Sequence, residues 1–254
     1  MGEIEVSDRE EIRFLTIRNE PSRNALTRDM VEATRLAVED FETDPELKVV
    51  VLQGAGAQSF CSGADMKEIA EQASLGQVFV PVLPTLYESL LHLSKPSIAA
   101  LNGDAVGGGL ELALCCDLRI ARTGARVGLP EISLGMVPRY GTVLAARVTS
   151  AAVALDLALL GELLPVEKSP VGLVSRVARP EEFSKEVLSV ATQLAKQSSV
   201  AMSGIKHLAN GAGTMEIREL VDSPEATAAF GSPDWAEGVT TIGERSHRRI
   251  DAAD

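Results

Sequence analysis

The sequence predicts an α/β fold in which units of strand and helix repeat, followed by a layer of helices. Short β-branched runs alternate with amphipathic segments over roughly the first 148 residues, as in chains that build a sheet covered by helices. Beyond that point, apolar residues recur at helical spacing. The chain has 254 residues and is 45% hydrophobic, which is enough for one or two domains with a real core.

The first unit begins with an alternating apolar and polar strand over Glu11–Arg18, and the turn Asn19–Asn24 follows it, so we expect a hairpin-rich start. The spacing over Thr27–Phe41 predicts an amphipathic helix with its first residue as the N-cap. The β-branched run Lys48–Leu52 predicts a buried strand. A loop rich in Gly, Ala and Ser, Gly54–Gly63, comes next.

The same order then recurs. We expect a strand over Ser97–Leu101, a glycine-rich turn over Asn102–Gly109, a helix over Leu110–Leu118 and a short strand over Arg119–Ala121. Between the two repeats, the segment Ser74–Leu86 carries two prolines among apolar residues, which disfavour a long helix. It predicts an apolar flap that either packs on the core or lines a ligand site.

Four helices are expected after residue 148, separated by Gly, Pro or Ser. Their predicted spans are Ala151–Leu160, Glu181–Gln197, Val200–Ala209 and Glu216–Phe230.

Charge and cysteine usage exclude several kinds of partner and compartment. The net charge of −12 and pI near 4.8 would repel nucleic acid and anionic membranes. The three cysteines, two of them adjacent, favour a reducing compartment. Met1–Arg13 carries five acidic residues where a signal peptide would be apolar, and no stretch of 18 uncharged apolar residues follows. We therefore expect a cytoplasmic protein that does not enter a membrane.

No Walker A, H-E-x-x-H, G-x-S-x-G or paired C-x-x-C motif occurs, so we predict no metal site. Three other segments carry candidate chemistry. Gly107–Glu111 joins a turn to a helix, where backbone N–H groups favour negative charge. The loop Phe60–Met66 follows a strand and offers a second N–H, and Val127–Ile132 places a glutamate after an apolar strand. Each alone also fits a tight turn or a surface acid, but together they supply an oxyanion hole and two carboxylates.

These segments, in this order along the chain, resemble the crotonase (enoyl-CoA hydratase/isomerase) superfamily. The likeness rests on Ser22–Leu26, Ser62–Lys67, Ile98–Ala113, Pro130–Gly135 and Phe230–Gly238, and extends over nearly the whole chain. No one of these motifs would suffice, whereas the ordered series is specific.

The resemblance implies a spiral of repeated strand-strand-helix units with a C-terminal helical region that packs trimers, commonly paired as hexamers. We therefore predict an acyl-CoA-binding catalytic core over residues 1–195 and a helical region over residues 196–254. It also implies no tightly bound cofactor, because coenzyme A enters as part of the substrate. The acyl carrier is either CoA or the phosphopantetheine arm of a carrier protein.

Position in the family motifs implies the roles of individual residues. The N–H groups of Ala64 and Gly108 match the oxyanion-hole donors. The residues implied to contact the substrate or its CoA are Arg23, Ala25, Ala64, Asp65, Met66, Lys67, Gly108 and Arg139. Of these, Arg23 and Lys67 are the cations for the CoA phosphates. Arg245, Arg248 and Arg249 are candidates for a neighbouring subunit's contribution to the same site.

Glu111 and Glu131 match the two glutamates of the hydratases, so the resemblance favours addition of water to an enoyl-CoA. One carboxylate would deprotonate water for attack at C3, and the other would handle the proton at C2. Isomerase, hydrolase or decarboxylase chemistry on the same site is the alternative, because family isomerases often use one acid. A non-catalytic acyl-CoA-binding protein is a further alternative, although such members typically lose the glutamates.

Arg139 departs from the hydratase pattern, because it replaces the first glycine of the usual Pro-Gly-x-Gly-Gly-Thr sequence. A cation there would crowd the catalytic water, pair with a glutamate, or bind a carboxylate on the substrate. In the remaining interpretation its side chain points away and only its backbone matters.

Overall fold

The structure is a computed structural model that describes residues 2–74, 82–212, 223–229, 232–234 and 237. The chain divides into two compact units, Met1–Ala195 and Lys196–Asp254. Within the described residues, no helix is long and apolar enough to cross a membrane.

Ten strands in the first unit form two sheets. Six make one sheet in the order β1-β2-β3-β5-β7-β10, and four make a second sheet in the order β4-β6-β8-β9. Pairing is parallel except for β1 with β2 and β8 with β9. The strands are β1 (Glu3–Arg9), β2 (Ile12–Arg18), β3 (Val49–Gly54), β4 (Ser59–Cys61), β5 (Ser97–Leu101), β6 (Asp104–Val106), β7 (Leu118–Arg122), β8 (Arg126–Gly128), β9 (Leu164–Pro165) and β10 (Arg176–Ala178).

Seven described helices belong to the first unit and two to the second. The helices of the first unit are α1 (Arg28–Thr43), α2 (Met66–Ser74), α3 (Leu83–Leu91), α4 (Gly108–Leu114), α5 (Arg139–Val148), α6 (Ala151–Leu160) and α7 (Phe183–Ala195). Those of the second are α8 (Ser199–Gly211) and α9 (Pro224–Thr227). Short 3-10 turns cover Glu20–Ser22, Pro130–Leu134 and Val166–Lys168.

The first unit is a spiral. Three times the chain runs from the six-stranded sheet to the four-stranded sheet and then into helix: β3 and β4 lead to α2 and α3, β5 and β6 to α4, and β7 and β8 to α5 and α6. The predicted α/β architecture of strand-strand-helix units is therefore confirmed. Because every turn places its second strand beside the previous one, the loops after β4, β6 and β8 lie next to one another.

The central strands are apolar on both faces because both faces are covered. Val49 and Val51 of β3 pack with α7, in a cluster that includes Phe183. The alternate residues Val50 and Leu52 face the larger core inside the spiral. This two-sided burial explains why β3 is a continuous β-branched run rather than an alternating one.

Several predicted elements match the structure closely, including the strand Ser97–Leu101 and the helix Ala151–Leu160. Thr27 caps α1 as expected, because its side chain accepts a hydrogen bond from the Met30 N–H. The helix predicted over Leu110–Leu118 is shorter and earlier: α4 begins at Gly108, and β7 already starts at Leu118.

Two loops predicted from their glycines contain strands of the second sheet, β4 and β6. Each has three residues, too few for a periodic pattern, and their pairing partners are distant in sequence. The last residues of the predicted flap form the first turn of α3, where Pro84 is tolerated because that N–H needs no intrahelical partner. Residues 75–81, and most of the helix predicted over Glu216–Phe230, lie outside the described residues.

The packing of α4 on β4 requires glycine at position 109. A Cβ there would lie 1.9 Å from the backbone oxygen of Cys61, and a backbone contact cannot rotate away. We expect Gly109→Ala to destabilise the fold by about 3 kcal/mol or more, as overpacking at an immobile contact does. The matched control is Gly124→Ala, where a left-handed backbone has open space around it and the cost is about 1–2 kcal/mol. Urea unfolding of the two variants checks this, and equal losses would contradict it.

Candidate active site

A cavity of about 550 Å³ lies between the loop after β4, the helices α2 and α3, the first turn of α4, and the segment from Pro130 to Tyr140. Most of its wall is apolar, as is usual for sites that hold an organic ligand. Glu111, Glu131 and Arg139 are the charged residues of its described lining. The apolar wall includes Ile69, Val82, Leu83, Val106, Leu134, Met136 and Val137.

Two backbone segments meet at one side of this cavity. A Cβ on Gly63 would lie 3.0 Å from the Gly108 nitrogen, so the loop after β4 touches the start of α4. Ala64 and Gly108 both line the cavity. Among the described residues, neither of their N–H groups has a hydrogen-bond acceptor. Two unused donors on adjacent backbones are the arrangement that an oxyanion hole needs.

The loop before β4 is held by two buried asparagines. The Asn24 amide donates to the carbonyls of Ala55 and Ser59, at 3.0 and 2.7 Å. Asn102 accepts from the Gly54 N–H at 2.8 Å and also donates to Ser59. These asparagines belong to the Ser22–Leu26 and Ile98–Ala113 motifs, so part of each motif fixes the chain where it enters β4, the strand that precedes the Ala64 loop.

Glu111 lies in the first turn of α4 and is buried. Its Oε1 accepts a hydrogen bond of 2.8 Å from the backbone N–H of Gly141, near the start of α5. Burial raises the pKa of Glu111, while that hydrogen bond, Tyr87 and the charge of Arg139 act in the lowering direction. The carboxylate is therefore held in one orientation and kept partly stabilised in its ionised form.

Tyr87 of α3 is a site residue that the sequence analysis missed. Its buried hydroxyl donates to the Gly108 carbonyl at 2.8 Å, and Glu111 is the alternative acceptor for the same proton. The ring packs edge-on against Tyr140, with centroids 5.1 Å apart. Tyr87 thus acts as a positioning residue between the oxyanion backbone and a carboxylate. Tyr87 lies just after the predicted flap and in none of the sequence motifs, so the sequence carried no signal for it.

Glu131 is the second residue of the 3-10 turn Pro130–Leu134 and faces Gly107. A Cβ on Gly107 would lie 2.8 Å from Glu131 Oε1, and Gly107 has φ of +57°, so glycine is required there twice over. Burial, together with the nearby charge of Glu111, raises the pKa of Glu131 to about 7. Its Oε2 is buried without a hydrogen-bond partner among the described residues. Such a carboxyl is suited to exchange a proton near neutral pH.

Comparison with known proteins identifies the family. The sequence matches the enoyl-CoA hydratase/isomerase family over residues 8–234. The chain belongs to the enoyl-CoA hydratase/isomerase family. Its members act on CoA thioesters, and the chain is an enzyme of this type.

Individual relatives agree with this family assignment. A crotonyl-CoA hydratase from Syntrophomonas wolfei is 32% identical over 249 residues, covering 93% of each chain. The 2,3-dehydroadipyl-CoA hydratase of Escherichia coli is 34% identical over 236 residues, covering 89% of this chain and 92% of that protein. The crystal structure of an enoyl-CoA hydratase from Bacillus anthracis superposes with a TM-score of 0.87 at 27% identity, covering 95% of this chain and 96% of that one.

The residues expected to contact CoA are distributed around the cavity rather than all within it. Met66 lines it beside Ala64, and Ala25 is buried beneath. Asp65 accepts hydrogen bonds from the N–H groups of Lys67 and Glu68, so it caps α2 instead of facing the cavity. Lys67 is exposed on α2 outside the described lining.

Arg23 lines a second, more polar cavity of about 450 Å³. The two cavities share Ser62 and Val106, so they adjoin.

Arg139 is the first residue of α5 and lines the main cavity with its side chain exposed. Within the part of the chain that the structure describes, it forms no ion pair with Glu111 or Glu131. The predicted pairing with a glutamate is therefore absent, although its charge still acts on Glu111 at longer range.

The raised pKa of Glu131 makes folding stability depend on pH. The carboxyl titrates near 4.5 when unfolded and near 7 when folded, so wild-type stability falls as pH rises from about 4.5 to 7. The glutamine of Glu131→Gln is neutral at every pH. The melting temperature of this variant relative to that of wild type should therefore rise as the pH increases from about 4.5 to 7. Thermal melts at pH 5 and pH 8 check this, with the exposed Glu3→Gln on β1 as control. A difference between Glu131→Gln and wild type that does not change with pH would contradict the expectation.

Proposed function

We propose that this enzyme adds water across the C2–C3 double bond of a 2-enoyl-CoA thioester. The observation that carries the proposal is that two carboxyl groups, Glu111 and Glu131, share one apolar cavity with the unused N–H groups of Ala64 and Gly108. Hydration requires one group that accepts a proton and another that donates one, and the two environments differ in that direction.

In this proposal, Glu111 is the base. The Gly141 N–H fixes its orientation, and the same hydrogen bond favours the ionised form. Glu111 takes a proton from water while the water oxygen bonds to C3.

Glu131 is the acid in this proposal. With a pKa of about 7, it is about half protonated at neutral pH, and it donates its proton to C2 as the C2–H bond forms. The reaction leaves Glu111 protonated and Glu131 ionised, and the proton returns through solvent before the next turnover.

The thioester oxygen carries the negative charge that develops as C3 is attacked. The N–H groups of Ala64 and Gly108 would donate to it, and Tyr87 holds the Gly108 segment in place through its carbonyl. Removing one oxyanion donor typically costs about 10²- to 10³-fold in rate. Because both donors are backbone groups, the fold fixes them before substrate binds.

The CoA moiety would leave this cavity toward the adjoining polar cavity. Arg23 lies there, and Lys67 is exposed nearby on α2 at the end of the donor loop. These cations would bind the CoA phosphates of a protein whose overall charge of −12 repels anions. No tightly bound cofactor takes part. The free cysteines Cys61, Cys115 and Cys116 fit a reducing, cytoplasmic compartment.

Isomerisation is the nearest competing activity, because one carboxyl with a pKa near 7 also suffices to move a proton between C2 and C4. A panel of saturated, 2-unsaturated and 3-unsaturated acyl-CoAs, with products identified by mass, separates the possibilities. We expect 2-enoyl-CoAs to gain the mass of one water. Conversion of 3-enoyl-CoA without a change of mass as the main activity, or release of free CoA or carbon dioxide, would overturn the proposal.

Glu111→Gln and Glu131→Gln test the two-carboxylate mechanism. Each should lower kcat by about 10²- to 10⁴-fold, because each removes one proton-transfer group. Binding of a saturated acyl-CoA, measured by calorimetry, should persist, since neither carboxylate holds CoA. The exposed Glu3→Gln serves as the control, and near-normal turnover of both variants would rule the mechanism out.

We also propose that the chain assembles as a trimer or a dimer of trimers. Every residue of helix α6 except Asp156 is apolar, yet Leu155, Leu159 and Leu160 are 53%, 63% and 61% exposed. A helix of this composition is normally covered. Ile205 of α8, in the C-terminal unit, is likewise 65% exposed.

Light scattering should give a mass of three or six chains, and replacing Leu155 and Leu159 with lysine should lower it. A wild-type monomer at micromolar concentration would contradict the assembly. Arg245, Arg248 and Arg249, which lie outside the described residues, remain proposed contributors to a neighbour's CoA site.

A further inference from the structure

Arg139 is an unpaired cation at the wall of an apolar cavity. No other lysine or arginine belongs to the cavity's described lining. Its guanidinium forms no hydrogen bond or ion pair with any residue that the structure describes, whereas Arg13, Arg35 and Arg126 all hold carboxylates. A cation kept free beside two glutamates is available to a ligand.

The base of this side chain is fixed relative to the proposed chemistry. Arg139 starts α5, and two residues further on the Gly141 N–H holds Glu111 at 2.8 Å. The first turn is closed by the Thr142 N–H and hydroxyl, which both donate to the Pro138 carbonyl at 2.8 Å. A group bound by Arg139 would therefore lie at a defined position relative to Glu111, the carboxylate proposed to act on C3.

The charges of the cavity decide which acyl groups suit it. A hydrocarbon chain packed against Arg139 would remove water from the guanidinium without replacing its hydrogen bonds, which is costly. An acyl chain that ends in an anion would restore those bonds. Without Arg139, the same anion would meet only Glu111 and Glu131 among the charged groups of the described wall, and whichever of them is ionised repels it.

A carboxylate is the anion left for this cation, because the CoA phosphates have other proposed partners. Its two oxygens match the fork of the guanidinium in a bidentate pair. Arg23 and Lys67, outside the described lining of this cavity, are the cations proposed for the phosphates.

We propose that Arg139 is a specificity-determining residue that binds a carboxylate at the far end of the acyl chain. The preferred substrate is then the CoA thioester of an unsaturated dicarboxylic acid. The part of this inference that concerns the reaction, hydration of the thioester, rests on the proposed function. The binding preference stands apart from it. The E. coli relative is named a 2,3-dehydroadipyl-CoA hydratase, after a thioester of this class.

The test compares two substrates of equal length, 2-hexenoyl-CoA and 2-hexenedioyl-CoA, which differ only in a terminal methyl or carboxylate. In wild type we expect the larger kcat/KM for the dicarboxylic substrate. In Arg139→Gln the ratio of the two values should fall by about 5-fold or more, the loss expected when an ion pair formed by an exposed arginine is removed. Arg139→Lys should fall in between, because an ammonium keeps the charge without the fork.

Arg147→Gln is the matched control, since Arg147 is an exposed arginine in the last turn of the same helix and lies outside the cavity lining. Its ratio should equal that of wild type. Equal preference for the two substrates in wild type, or an equal loss on both substrates in Arg139→Gln, would overturn the proposal. The latter result would mean that Arg139 contacts a part common to all acyl-CoAs.

Calorimetry with the saturated ligands adipyl-CoA and hexanoyl-CoA separates this inference from the reaction itself. If neither enoyl substrate is hydrated but wild type still binds adipyl-CoA more tightly, and Arg139→Gln loses that preference, the hydratase proposal fails and the carboxylate site stands. If hydration occurs without any preference between the two saturated ligands, the carboxylate site fails alone. Retained hexanoyl-CoA binding also shows that the variant is folded.

Discussion

The contact between the first turn of α4 and the backbone of β4 is the constraint on which the site depends. Glycine at position 109 lets α4 approach the Cys61 carbonyl, and this approach brings Gly108 against Gly63. Two donor-bearing backbones then lie at one cavity wall, and Glu111, two residues after Gly109, lies in the same turn. A side chain at position 109 would push α4 away from β4. Gly108 and Glu111 would both move with it, because they belong to the same short helix.

Within that frame, two carboxyl groups line one mostly apolar cavity, and each has a different environment. Glu111 receives a backbone N–H from α5, while one oxygen of Glu131 has no partner among the described residues. Burial raises both pKa values, and the charge of Glu111 raises that of Glu131 further. The pair therefore favours one ionised and one protonated member near neutral pH, which is the state that paired acid and base chemistry uses.

The protein also solves the problem of binding an anion while carrying a net charge of −12. Long-range attraction is unavailable, so donors must act locally. The apolar cavity has Arg139 on its wall, and the adjoining polar cavity has Arg23. In our proposals, Arg139 recognises the acyl chain and Arg23 recognises CoA. A substitution at one of them can therefore change acyl-chain specificity without changing CoA binding, or the reverse.

The sequence by itself determined the alternation of strands and helices, the helix cap at Thr27 and the family, because periodicity, capping and an ordered series of motifs are local signals. It also supplied Glu111, Glu131, Ala64 and Gly108, which the structure brings to one cavity. Their roles remain proposals.

Only the tertiary structure decided what lies between those residues. The strands β4 and β6 escaped prediction because three-residue strands are defined by distant pairing partners. Tyr87 belongs to none of the sequence motifs, and nothing local shows that α3 packs against Gly108. The sequence left Arg139 with several interpretations. The partners of such a long, flexible side chain depend on which charges folding brings near it. In the part of the chain that the structure describes, Arg139 forms no ion pair with a glutamate.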